Sequence, residues 1–216
     1  MKRLFIVVEG QTEETFIKEL LQPYFASLGF HSVTPVKIQT SKGHKGGFVN
    51  YQHLKNDLLR LLNETDVVVT TFVDFFRIPN NMPDYETCMR RSKATNKITC
   101  LEESMRNDIQ TSNNFIPYIQ QHEFESLIFS SSKPYIFYYK DEVVKAIEKI
   151  IAQYETPEDI NDMPNTAPSK RLLAIIPDYS KVNDGNIIAL EIGIERILQQ
   201  CPRFKNWIQT LIEALQ

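Results

Sequence analysis

The sequence predicts an α/β fold, a mostly parallel sheet flanked by helices, with an α-helical C-terminal extension. Three observations predict it. Leu4-Phe5-Ile6-Val7-Val8 is an unbroken apolar run rich in β-branched residues, as expected of a strand buried on both faces. Val67 to Val73 is a second such run, the most β-prone in the chain, and helical patterns lie between the two. From Pro134 onward the texture changes to helices separated by polar and proline-containing turns. Residues 1–132 are therefore read as the α/β domain and 133–216 as a helical extension packed on the same body.

The first strand ends at Glu9, Gly10 marks the turn, and Thr12 followed by Glu13 and Glu14 opens a helix. In an open α/β sheet the carboxyl ends of the strands form the ligand crevice, so a carboxylate at Glu9 is either a site residue or one that holds the following turn. The helix runs from about Glu13 to Leu28, with Phe16, Leu20, Leu21, Tyr24 and Leu28 on one apolar face. Glu13 and Glu14 suit its positive N-terminal end. Glu13 also has the option of pointing back over the strand tip. Gly29 stops the helix, and Ser32 to Gln39 reads as a second strand. Thr40 to Gly47, with Lys42, His44 and Lys45 among three glycines, is a solvent loop or a phosphate cradle without the ordered spacing of a Walker motif.

Tyr51 to Leu62 is an amphipathic helix, and the Val67–Val73 strand runs directly into Asp74. Two acids at the tips of parallel strands lie over one crevice and repel each other unless one is protonated or a cation stands between them. A hard divalent ion suits such oxygen ligands, and Mg2+ needs only one or two protein carboxylates. Arg77, in the proline-containing exit loop, either clamps phosphate or pairs with an acid. Asp84 to about Ile109 reads as two helical pieces broken near Ala94-Thr95-Asn96. Its Arg90, Arg91, Lys93 and Lys97 are a solvated face or a contact for a nucleic-acid backbone.

Phe115 to Gln120 is a further strand that Pro117 assigns to an edge. It leads into His122-Glu123-Phe124-Glu125. If that segment is helical, His122 and Glu125 share a face; if extended, Glu123 and Glu125 do. The remaining helices are expected at Lys140 to Tyr154, Ser169 to Ile176, Asn186 to Gln200 and Pro202 to Leu215. Lys170 with Arg171, or Lys181, either reach substrate or are solvated side chains, the latter being the safer reading.

A net charge of −3 and a pI near 5.9 give no global basic field, so contact with a polyanion has to be local. Cys88, Cys100 and Cys201 show no close pairing along the chain and are expected to be free, reduced thiols of a cytoplasmic protein. The apolar run after Met1-Lys2-Arg3 is too short for a signal peptide, and nothing approaches the length of a membrane span.

A strand ending in Val8-Glu9-Gly10, a helix, and a strand ending in Asp74 resemble the Toprim fold of topoisomerases, primases and OLD-family nucleases. The fuller set looks more narrowly like an uncharacterised bacterial Toprim-like family, whose members are commonly encoded beside ATPases in mobile or phage-defence regions. That set is Val8 to Glu13, Val73 to Pro79, His122 to Glu125, Ser169 to Leu172 and Cys201 to Trp207. The resemblance implies that Glu9 is a general acid/base or metal ligand and that Asp74 is the first aspartate of an Asp-x-Asp pair. Phe76 stands at the second aspartate's position, so the site recruits another acid, binds one ion, or is inactive; Glu123 and Glu125 are the candidate replacements.

The expectation is an Mg2+- or Mn2+-dependent nuclease cutting DNA or RNA, with an ABC- or AAA-type ATPase as partner. Glu9, Asp74 and Glu125 are its ligands or acid/base groups, Glu123 a further ligand, His122 a further catalytic group and Arg77 a phosphate clamp. The alternative is a catalytically degenerate sensor subunit of an ATPase complex.

Overall fold

A computed structural model describes residues 2–41, 44–45, 47–109, 114–161 and 166–216. Strand β1 (Arg3–Val8) lies at the centre, parallel to β2 (Val33–Lys37) on one side and to β5 (Val67–Asp74) on the other. Two short strands, β6 (Phe115–Ile116) and β7 (Ile119–Gln120), both pair parallel with β5, giving the order β2-β1-β5-β6 with β7 continuing along β5. The strand expected over residues 115–120 is thus split at Pro117-Tyr118, because proline has no N–H to give the ladder. The Thr71 hydroxyl takes over there, accepting from the Tyr118 N–H and donating to the Tyr118 carbonyl. A small antiparallel hairpin, β3 (Gln39–Ser41) with β4 (His44–Lys45), occupies the glycine-rich stretch; Lys42, Gly43 and Gly46 of the phosphate-cradle reading lie outside the described residues.

The period-two alternation of a strand buried on both faces accounts for two apolar cores. Leu4, Ile6, Val8, Val68 and Phe72 point to one face of the sheet; Val7, Val67, Val69 and Val73 point to the other. The second face is covered by α3 (Tyr51–Leu62) and α5 (Ala94–Ile109). The first is covered by α1 (Gln11–Phe16), by a π turn (Ile17–Leu21) running into α2 (Gln22–Ser27), and by the C-terminal helices. The π turn falls where Pro23, one turn later, lacks an N–H and crowds the preceding carbonyl, so the ladder widens and the helix continues. Leu28, expected on the buried face, is 45% exposed at the helix end.

Beyond β7 come two 3-10 segments, Phe124–Ser130 and Lys133–Phe137, then α6 (Asp141–Ile151) and a 3-10 turn at Pro157–Asp159. Helices α7 (Pro168–Ile175), α8 (Asp184–Ile192), α9 (Ile194–Gln200) and α10 (Pro202–Leu215) follow. The single helix expected over residues 186–200 breaks at Gly193, whose φ of 77° favours a residue without a side chain. The other helical break falls at residues 90–93, between α4 (Tyr85–Met89) and α5, a few residues earlier than expected. It folds α5 back beside α4 and brings Cys88 and Cys100 together in a disulfide, with Cα atoms 5.4 Å apart. The expectation of three free thiols is corrected accordingly: twelve residues of separation hid a close pair that the helical turn creates, and only Cys201 is free. Among the described residues no helix is long and apolar enough to cross a membrane.

Helix α10 is bound to the sheet by aromatic packing. Trp207 stacks on Tyr118 at 4.4 Å and lies 5.4 Å from Phe72, while Phe16 meets Phe204 and Phe124 edge-on. The indole N–H donates to the Thr70 hydroxyl at 2.8 Å. Buried Glu158 receives the first N–H groups of α10, from Arg203 and Phe204. Arg203 in turn pairs with Glu102 of α5 at 2.6 Å. Trp207→Ala therefore removes a buried ring, its stacking and its hydrogen bond. Urea unfolding should show a loss of about 3–5 kcal/mol, and a loss below about 1 kcal/mol would refute the anchoring role.

Candidate functional site

The carboxyl ends of β1 and β5 deliver the first two acids. Val8 is paired with Phe72, so Glu9, one residue on, falls level with Val73 and next to Asp74 on the adjoining strand. The Glu9 main chain is fixed by the Gly47 N–H, which donates to its carbonyl at 2.8 Å, and the neighbouring Phe48 N–H favours its ionised carboxylate. Asp74 is buried and divides its two oxygens: Oδ1 accepts from the Phe124 N–H at 2.9 Å, and Oδ2 accepts from the Lys181 ammonium at 3.0 Å.

The Phe124 bond sets the start of the 3-10 helix that carries Glu125. Glu125 is completely buried; its Oε2 lies 3.3 Å from Lys181 Nζ, and among the described residues neither oxygen has a well-formed hydrogen bond. Glu13 completes the group. Its Oε2 accepts from the Gly10 N–H at 3.0 Å, as a residue capping the start of α1 should, and its Oε1 lies 3.7 Å from Lys181. Both sequence options for Glu13, helix cap and strand-tip residue, are thus realised in one side chain. Glu14 instead pairs with Lys18 and Lys37, outside the cluster.

Of the other sequence candidates, Glu123 is engaged by Ser169, whose N–H and hydroxyl both donate to it at 3.0 Å. His122 is buried with a left-handed backbone (φ 66°). Its carbonyl accepts from the Phe76 N–H and its ring faces Asn161 across 3.2 Å. Arg77 is exposed, with its guanidinium over the Phe76 ring at 5.2 Å rather than on Asp74. The structure therefore gathers Glu9, Asp74 and Glu125, adds Glu13, and places Glu123, His122 and Arg77 around the margin.

The residue that the sequence left between substrate contact and a solvated surface is Lys181. It sits in the turn before α8, far along the chain from the acids it joins. The turn is closed by reciprocal bonds between Ser180 and Asp184 and tied to α1 by Asn186, which donates to the Thr12 carbonyl. Gly185 permits the close fit, since a Cβ there would lie 2.7 Å from the Tyr179 hydroxyl oxygen. One signal for Lys181 was available: several acids meeting at the strand tips require a counter-charge from somewhere.

One ammonium among four carboxylates leaves the centre electrically short of positive charge. Burial first, then the neighbouring Asp74 and Glu13 charges, pushes the Glu9 carboxyl up to about 7. Burial likewise pushes Glu125 up to about 8 against the opposing pull of Lys181, with Asp74 and Glu123 adding to the rise. Burial and Asp74 raise Glu13 too. The Lys181 ammonium is raised by Asp74, Glu125 and Glu13, which outweigh its own burial. Such a donor set, made of hard carboxylate oxygens whose protons an arriving cation can displace, fits a divalent cation. Among the described residues no three of these acids already converge on one ion-sized position. Lys181 stands between them.

A family model described as "Domain of unknown function (DUF4276)" matches residues 8–212. Among curated proteins none matches. Among solved structures, the C-terminal region of the Burkholderia pseudomallei OLD protein aligns with a TM-score of 0.50 at 15% identity, covering 100% of both chains. The corresponding region of the Xanthomonas campestris pv. campestris OLD protein aligns at 0.45 and 15% identity, covering 100% of this chain and 94% of that one. At that identity the Burkholderia match shows a shared fold.

Because the folded carboxyls of Glu9 and Glu125 hold protons up to about 7 and 8, well above the ordinary 4.5, the folded state binds more protons than the unfolded chain between those values. Their contribution to stability is fully present below pH 4.5 and is lost as pH rises through 7 and 8. The metal-free protein should therefore melt at a lower temperature at pH 9 than at pH 6. Glu125→Gln, a neutral isostere, should raise the melting temperature at pH 9 and flatten that slope. An unchanged or steeper slope in the variant would show that Glu125 is ionised without penalty.

Proposed function

Because the chain belongs to the DUF4276 family and gathers four carboxylates and a lysine at its strand tips, we propose that it is a Toprim-like, divalent-cation-dependent nuclease. The single observation that carries the reading is the meeting of Glu9, Asp74 and Glu125, from three separated parts of the sequence, around one crevice. The shared fold with an OLD C-terminal region and the sequence resemblance to Toprim nucleases support nucleic acid as substrate. The same resemblance supports an ATPase partner and a role in phage defence.

In this reading Glu9 and Asp74, with Glu125 beside them, would hold Mg2+ or Mn2+. Either ion supplies Lewis acidity, polarising the phosphate and acidifying water. The protein's own groups do the rest. Glu9, with a carboxyl near neutrality and less buried than its neighbours, takes the proton of the water that attacks phosphorus; the bond to the leaving sugar oxygen breaks and that oxygen is protonated from solvent. Lys181 places positive charge beside the phosphate path, Arg77 at the margin contacts a flanking phosphate, and Asp74 holds the Phe124 N–H so that Glu125 stays in place. Basic residues of the α4–α5 region, Arg90, Arg91, Lys93 and Lys97, would carry the backbone contact.

Incubation with single-stranded DNA, duplex DNA and RNA in millimolar Mn2+ should show cleavage of at least one of them. Glu9→Ala and Asp74→Ala should each lower the rate by about a hundredfold or more while leaving the circular dichroism spectrum intact. Cleavage that persists in both variants would assign the activity to a contaminant or to another site.

A further inference from the structure

We infer that Lys181 is a built-in cation of this centre: its ammonium stands where a second divalent ion would stand, so the carboxylate cluster takes one divalent ion and not two. The inference rests on the divalent-cation reading above and adds the stoichiometry. Its basis is the set of contacts on one nitrogen. Asp74 Oδ2 at 3.0 Å, Glu125 Oε2 at 3.3 Å and Glu13 Oε1 at 3.7 Å surround Lys181 Nζ, one oxygen from each of three elements. Asp74 accepts a hydrogen bond from the ammonium, and Glu125 and Glu13 face it as charges across 3.3 and 3.7 Å.

A divalent ion bound by the same oxygens would lie roughly 2.0–2.6 Å from each, inside the volume the nitrogen fills, and its charge would repel the ammonium at that distance. The lysine is also held from behind. Its turn is closed by the Ser180 N–H donating to Asp184 at 2.7 Å, and Asn186 donates to the Val182 carbonyl at 2.8 Å, so the side chain is presented from a fixed backbone. Among the described residues Glu9 makes no ion pair with Lys181, so the one ion is assigned to Glu9 with Asp74 beside it.

Calorimetric titration of the full chain with Mn2+, with the bound ion counted by electron paramagnetic resonance, tests this. The wild type and Lys181→Arg should bind one ion per chain, and Lys181→Ala, which removes both the charge and the volume, should bind two. Two ions on the wild type, or one on a folded Lys181→Ala, would overturn the inference while leaving the divalent-cation reading standing. Lys181→Ala leaves the acids without their counter-charge, so it is folded in Mn2+, stripped of the ion by dialysis against chelator, and then titrated. If it does not fold even then, the counts on wild type and Lys181→Arg decide, and two ions on either sinks the proposal. No Mn2+ on any of the three would remove the cation reading itself, and this inference with it.

Discussion

Carboxylates brought together in a partly buried crevice repel one another, and the way this chain manages that repulsion governs the arrangement of everything around it. The acids come from β1, α1, β5 and the 3-10 helix after β7; the compensating charge comes from the turn before α8. The helical extension is therefore electrostatically part of the site. The packing agrees: the core on that face of the sheet runs without a break from Leu4 and Phe72 to Trp207 and Leu215. Separating the two parts would expose that apolar face and strip the acids of their lysine in one event.

The sheet accounts for the rest of the placement. In a parallel pair the two strands end on the same side, and the register of β1 with β5 decides which side chains become neighbours there. A slip of one residue would turn Asp74 to the opposite face of the sheet and exchange the two apolar sets that fill the two cores. The aliphatic residues of β1 and β5 therefore fix the clustered carboxylates as firmly as any hydrogen bond does.

The parts of the structure governed by local pattern were legible in the sequence. The β1 and β5 runs, the helix at Tyr51–Leu62 and the proline-started α10 fall close to where periodicity put them, because burial on one or both faces leaves a period of 2 or 3.6 in the apolar residues. What local pattern could not carry was lost. The Cys88–Cys100 bond depends on how α5 folds back on α4. Lys181 has no unusual neighbours along the chain, and its role exists only through contacts more than fifty residues away. Gly185 looks like an ordinary helix-start glycine until the Tyr179 ring is seen against it. In each case the missing information is tertiary, carried by which surfaces meet rather than by which residues alternate.

Phe76 is where sequence and structure explain each other. The resemblance to Toprim proteins leads one to look for a second acid two residues after Asp74, and the phenylalanine there offers no carboxylate. In the fold, the Phe76 N–H extends the β5–β7 pairing by donating to the His122 carbonyl, and His122 takes a left-handed conformation that turns the chain back toward the crevice. The turn is completed by Asp74 itself, whose Oδ1 receives the Phe124 N–H and starts the helix that delivers Glu125. A carboxylate thus reaches the cluster from the neighbouring strand's loop instead of from β5's own. It arrives fully buried, with Lys181 its nearest compensating charge among the described residues. An acid held under those conditions is destabilised by being ionised, and a site that keeps it there retains a standing affinity for positive charge.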